Sequence, residues 1–199
     1  MIKTLYLVWH GQTLFARQGR CEGWSDSPLS DEACERARAT GRDFFAVGAI
    51  APDALFSSMS ERACDTLELI CREAYGTVAP YERLKGLKDL NYGIYEAKDR
   101  CLVPPVPYGD FFVKFGGESD GQLAARMREA VVSIARRPDV GSAIVSTHRI
   151  ACARLCGLWD ERSEAWCLAA PDCSVVVLAC DATTGAMSVT ERFAPRGQA

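Results

Sequence analysis

The sequence predicts an α/β fold: a mostly parallel central sheet flanked by helices on both faces, with an antiparallel hairpin at its C-terminal end. Three observations carry that expectation. Short apolar runs at 3–9, 54–58 and 142–146 have the length and β-branched content of buried strands. Amphipathic stretches opened by serine alternate with them, and strand–helix alternation leads to right-handed crossovers and parallel pairing. Finally, runs 174–180 and 186–193 flank Asp181-Ala182-Thr183-Thr184-Gly185, which reads as a hairpin.

Taken in order, residues 3–9 form the first strand and lead through His10 into a polar loop ending at Ser27-Pro28-Leu29. Ser30 caps a helix with Asp31 and Glu32 in its first turn and Ala33, Ala37 and Phe44 on one face. Gly48 is expected to close it. After the 54–58 strand, Ser60 caps a helix with Ala63, Leu67, Ile70 and Ala74 on one stripe, closed near Gly76. Residues 77–118 are loop-rich and read as a lid or a small excursion over the sheet. Ser119 caps a third helix running to Arg137, with Leu123, Met127, Val131 and Ile134 facing inward. The strand at 142–146 ends at Thr147-His148, and a helix follows to about Trp159.

At 199 residues the chain fits a single domain, 1–199. Apolar residues make up 48% and charged residues 25%, values that exclude a disordered or membrane-spanning class. The net charge of −3 argues against nucleic acid and anionic membrane as partners. Ten cysteines are present without a C-x-x-C pair, and Cys64, Cys71, Cys152, Cys156, Cys173 and Cys180 sit in apolar stretches. They read as reduced core thiols. The N-terminal apolar run is too short for an export signal, so the expected location is cytoplasmic.

In open α/β sheets ligands bind beyond the carboxyl ends of the strands. His10 and His148, the two histidines of the chain, each follow a strand there, and Arg62 lies in the first turn after a third strand. Imidazole can act as a nucleophile or proton carrier, and a guanidinium suits phosphate or carboxylate oxygens. No P-loop is present. Cys156 and Arg162-Ser163 have the spacing of a cysteine-phosphatase loop. The cysteine, however, falls inside a helix, and Asp160 and Glu161 would repel an anion and deny the thiol a low pKa.

Leu7-Val8-Trp9-His10-Gly11-Gln12-Thr13 resembles the R-H-G-[EQ]-T signature of the histidine phosphatase (phosphoglycerate-mutase-like) superfamily. Gly23-Trp24-Ser25-Asp26-Ser27-Pro28-Leu29-Ser30 is similar to its G-W-x-D-x-P-L-T segment, and Ser58 to Ala63 to its S-x-x-x-R-A motif. Leu87-Lys88-Asp89-Leu90-Asn91-Tyr92-Gly93, Gly116-Gly117-Glu118-Ser119 and Val145-Ser146-Thr147-His148 also fit, in family order along nearly the whole chain. The resemblance implies a phosphomonoester hydrolase needing no metal or other cofactor. His10 would be the nucleophile, Arg62 and His148 the phosphoryl ligands and Asp89 the proton donor. Gly11, Thr13, Arg20, Glu22, Gly23 and Arg149 would line the substrate site. The expected partner is a small phosphorylated metabolite, with homodimerisation left open.

The departures from the family pattern matter as much. Trp9 stands where the family has arginine, Ala16 where it has asparagine, Asp89 where glutamate is commoner and Arg149 where it has glycine. Two phosphate donors are therefore missing, with Arg149, Arg17 and Arg20 as candidate replacements. Trp9 has two readings, a pocket floor or a stacking surface for substrate. A phosphatase with a rebuilt anion pocket and a weakly active, ligand-binding member both fit. A mutase fits less well, because the longer insertion and the E-R-x-Y-G motif are absent.

Overall fold

The computed structural model describes residues 1–196. Six strands form one sheet: β1 (Ile2–Trp9), β2 (Ala54–Ser58), β3 (Glu82–Leu84), β4 (Ser142–Thr147), β5 (Val175–Asp181) and β6 (Met187–Phe193), in the order β3-β2-β4-β1-β5-β6. The first four pair in parallel, and β5 and β6 add antiparallel character at one side. The helices are α1 (Leu14–Arg17), α2 (Asp31–Thr40), α3 (Glu61–Tyr75), α4 (Asp120–Ala135), α5 (Arg149–Gly157) and α6 (Glu161–Ala169). No helix among the described residues is long and apolar enough to cross a membrane.

Alternation along β1 divides the core. Leu5, Leu7 and Trp9 pack into the larger cluster with Met127, Val131 and Leu155, while Val8 joins Phe45, Leu67 and Ile70 on the opposite face. Burial on both faces explains why the strands read as nearly continuous apolar runs. The six cysteines expected in the core are buried free thiols.

Several local expectations need correction. The helix after Ser30 is α-helical only to Thr40 and then widens into a π-turn at Gly41–Ala46. Gly41 is there for close approach, since a Cβ would lie 2.6 Å from the Ile70 carbonyl oxygen. The left-handed residue after it is Ala49 rather than Gly48. Ser60 occupies the N-cap position of α3 but its hydroxyl makes no cap bond. Asp26 instead accepts from the Glu61 N–H, capping α3 from a distant loop. The 77–118 stretch contributes the edge strand β3, and its aromatic rings, Tyr92, Tyr108 and Phe112 among them, pack edge to face. Neither β3 nor α6 was expected from the sequence.

Strand register assembles the site. Trp9 lies opposite Thr147 in the parallel β1–β4 pair, so His10 and His148 leave adjacent strands side by side. Ser57 lies opposite Ser146 in β2–β4, which delivers Ser58 and the first turn of α3 to the same rim.

Candidate active site

The two imidazole rings stand 5.0 Å apart, centre to centre, with Arg62 bonded to both. The Arg62 side chain is fully buried and spends every donor group: Nε on His10 Nε2 at 3.1 Å and Nη2 on His148 Nδ1 at 3.2 Å and the Gly23 carbonyl at 2.8 Å. Its Nη1 goes to the Ser25 carbonyl at 2.8 Å and Asp26 Oδ1 at 2.9 Å. A buried guanidinium needs such saturation.

These bonds fix the histidine tautomers. A guanidinium only donates, so His10 Nε2 carries a lone pair, and the ring proton sits on Nδ1, which donates to the Gly11 carbonyl at 2.7 Å. His148 is the reverse: Nδ1 accepts from Arg62 and Nε2 donates to Ser58 Oγ at 2.8 Å. Burial, reinforced by the Arg62 charge, lowers the His10 pKa to about 3 and holds that of His148 well below its ordinary value. Both rings are neutral at physiological pH.

Asp89 is buried on the same cavity, with Oδ2 4.0 Å from His148 Nδ1 and Oδ1 lacking any hydrogen-bond partner among the described residues. Burial pushes its carboxyl up to about 6, against the opposing pull of Arg62. The residue is not on a loose flap. Its carbonyl accepts from Trp24 Nε1 at 2.9 Å and Arg126 Nη2 at 3.0 Å, and Arg126 also grips the Gly86 and Lys88 carbonyls and Glu118.

Of the other residues expected at the site, Gly11, Glu22 and Arg149 line the cavity with His10 and Asp89, and so do Trp9 and Ala16. Glu22 accepts from Thr13 and Ser27 and lies 3.9 Å from Arg62. Arg149 is bonded to Asp172. Thr13 is fully buried beneath Glu22 and caps α1, so it positions rather than lines. Gly23 is required by its φ of +51° and by Tyr92, 2.4 Å from where a Cβ would stand; it serves the site by holding Arg62. Arg20 is not brought to the cavity: it is exposed and stacks on the Phe15 ring at 5.4 Å, beside its bridge to Asp99. Arg17 pairs with Glu32 on the surface. The indole of Trp9 is fully buried, donates to the Pro171 carbonyl at 3.0 Å and packs edge-on against Trp166. It is a floor.

Sequence reasoning missed Ser58, Asp26 and Arg126, and the whole contribution of α6, whose Glu161, Glu164 and Leu168 form the outer cavity wall. The start signal of α6 was legible: Asp160 accepts from the Arg162 N–H, with Glu161 and Glu164 in the first turn. Cys156 is buried in α5, its thiol pushed up by contact with Cys167 and by burial, which excludes it as an anion-binding thiolate.

Two histidines and an arginine thus meet on the carboxyl rim of this sheet, with a buried acid beside them. The profile of the Histidine phosphatase superfamily (branch 1) matches residues 5–191, and the chain belongs to that superfamily. It is 32% identical over 109 residues to the 2,3-bisphosphoglycerate-dependent phosphoglycerate mutase of Thermobifida fusca (strain YX), a match covering 55% of this chain and 43% of that one. The chain thus spans under half the length of that relative. The phosphoglycerate mutase structure from Bacillus anthracis str. Sterne superposes with a TM-score of 0.80 at 21% identity, covering 95% of this chain and 92% of the other. A mycobacterial glucosyl-3-phosphoglycerate phosphatase superposes at 0.73 with 20% identity, covering 99% and 100%. At those identities the likeness is one of fold.

Proposed function

We infer that the protein hydrolyses small phosphomonoesters through a phosphohistidine intermediate. The observation that carries this reading is the His10 tautomer: a neutral ring with its Nε2 lone pair held toward Arg62, on the cavity that a buried acid of raised pKa also lines. In the first step His10 Nε2 attacks phosphorus, and the bond to the leaving oxygen breaks with its electron pair. Asp89 gives its proton to that oxygen. The proton stays on Nδ1, still donated to the Gly11 carbonyl, and this bond steadies the phosphorylated ring. Phosphoryl oxygens take over the Arg62 donors now spent on the two imidazoles, placing a buried cation where charge grows. In the second step water attacks phosphorus, Asp89 takes its proton, and the P–N bond returns its electrons to Nε2. Inorganic phosphate leaves.

Arg149 is the replacement cation for the arginine missing at position 9, since it lies on the cavity wall next in chain to His148. A second reading, a ligand-binding member with slow turnover, is favoured by the Asp172 carboxylate that already occupies Arg149. Nitrophenyl phosphate hydrolysis beside a His10→Ala control decides between them. Turnover lost in the variant supports the enzyme, whereas phosphate binding with no turnover in either protein supports the binding role.

A further inference from the structure

Resting on the phosphatase reading above, we propose that Asp172 is a positioning residue: it holds the Arg149 guanidinium on the cavity wall so that its remaining donors meet a phosphoryl group bound at His10. Both side chains line the cavity, and Arg149 Nη2 donates to Asp172 Oδ1. The carboxylate orients the cation and does not take it out of use.

The segment that carries Asp172 is pinned. It joins α6 to β5, and its Pro171 carbonyl accepts from Trp9 Nε1 at 3.0 Å and from Ser174 Oγ at 2.8 Å. The Cys173 carbonyl accepts from Thr40 Oγ1, in α2, at 2.8 Å. Cys173 itself is fully buried at a φ of +61°, a left-handed conformation that a non-glycine residue holds only where its surroundings impose it. Asp172 thus sits between two anchored carbonyls, on backbone with little freedom. Trp9 brings no cation to the pocket, but it supplies one of these anchors.

Arg149 is the kind of side chain that needs a holder. It lies in the first turn of α5, next in chain to His148, and is 35% exposed. A long arginine loses rotamer freedom when it closes on a ligand, and a fixed carboxylate removes much of that loss beforehand. Asp172 engages one nitrogen only. Among the described residues Nε and Nη1 meet no acceptor, and a guanidinium carries five N–H donors in one plane. The Arg149 charge also reaches the nucleophile, since it adds to burial and Arg62 in lowering the His10 pKa. Asp172 has one effect of opposite sign: its own charge repels a phosphoryl group. Removing the charge and removing the acceptor therefore have different consequences.

The test measures calorimetric affinity for inorganic phosphate, with kcat and KM on nitrophenyl phosphate, in Asp172→Asn and Asp172→Ala. Asparagine keeps the acceptor and loses the charge, so it should stay within about three-fold of the natural protein or bind more tightly. Alanine frees Arg149 and should weaken phosphate binding and raise KM about ten-fold, the cost of ordering one arginine on binding. In an Arg149→Gly background the same alanine change should cause no loss and a gain of up to about three-fold, because an unpaired Asp172 only repels. Alanine binding as tightly as aspartate, or more tightly, overturns the proposal and makes Asp172 a group that sequesters Arg149. Equal losses in both backgrounds also overturn it, because Asp172 would then act without Arg149. His10-dependent hydrolysis with either of those results sinks this inference alone. Phosphate affinities in the expected order, with no ester hydrolysed, sink the phosphatase reading and leave this one standing. Neither phosphate binding nor hydrolysis in the natural protein overturns both.

Discussion

Asp89→Asn separates what the carboxyl does for catalysis from what it costs the fold. An alkyl alkoxide is a poor leaving group and needs the Asp89 proton, whereas nitrophenolate departs with little help. General acids are worth roughly 10²–10⁴-fold, so the variant should lose that much on an alkyl phosphate and far less on nitrophenyl phosphate. The stability effect has the opposite sign. Burial raises the Asp89 pKa from its ordinary 3.8 to about 6, so the folded chain holds this proton more tightly than the unfolded one. Above pH 6 the carboxylate is ionised in both states, and the folded state bears the full penalty, up to about 3 kcal/mol. Asparagine removes that penalty. At pH 8 the variant should therefore melt higher, by up to roughly 6–12 °C for a chain of this size. In the natural protein, alkyl phosphate turnover should fall as pH rises through about 6, and this limb should vanish in the variant. Parallel kinetics on the two esters and a stability profile over pH 5–8 make the measurement. Equal rate losses on both esters together with a lowered melting temperature would refute the reasoning, because Asp89 would then be a structural group.

Arg149→Gly should lower kcat/KM on nitrophenyl phosphate by roughly 10²-fold, the worth of one charged phosphoryl donor; a loss under three-fold in steady-state assays removes Arg149 from the anion pocket. Trp9→Arg should cost about 3–5 kcal/mol in chemical denaturation, because a buried indole packed on Trp166 is lost, and should not raise turnover; a faster enzyme of unchanged stability contradicts the floor assignment. Acidification from pH 8 to pH 5 should destabilise the fold, since unfolded His10 takes up a proton that the folded ring, with its pKa near 3, refuses at a cost of about 2 kcal/mol, and His148 acts in the same direction. Asp89 protonation offsets about 1 kcal/mol of this, so the pH 5 loss in denaturant titrations should be larger in Asp89→Asn; identical losses would speak against the raised carboxyl. Gly23→Ala forces a Cβ onto Tyr92 at a positive φ and should lower both stability and turnover, because the same carbonyl holds Arg62; a variant as stable and active as the natural protein would show that the loop can give way.

The fold was legible because both sheet faces are buried and the strands therefore stand out as apolar runs. The convergence of the candidate site residues was legible because they follow strand ends directly: His10 after β1, His148 after β4 and Arg62 in the first turn of α3. What escaped were parts with no periodic signature. Strand β3 is three residues long, at the sheet edge, and carries no buried residue. Helix α6 buries only Ser163 and Cys167 fully, so its apolar stripe is faint although its cap is clear. Residue parity decided Trp9. It shares the face of Leu5 and Leu7 and packs beneath the cavity, and sequence alone left that choice between floor and stacking surface open. Arg20 shows the converse limit, since a loop arginine near His10 in sequence lies exposed over the Phe15 ring, on backbone that pairs with Asp99. Asp26 bridges a loop, the N-terminus of α3 and Arg62, a role that spacing cannot reveal because its partners are 35 and 36 residues away.

The central claim is that the phosphoryl group passes through His10 Nε2. Single-turnover reaction with a phosphomonoester, quenched in alkali to preserve P–N bonds and read by peptide mass spectrometry and phosphorus NMR, tests it most directly. The account predicts one phosphoryl group on His10, attached at Nε2, formed within the first turnover and absent from His10→Ala. Hydrolysis that proceeds at full rate with no adduct on His10, or with the label on another side chain, would contradict it.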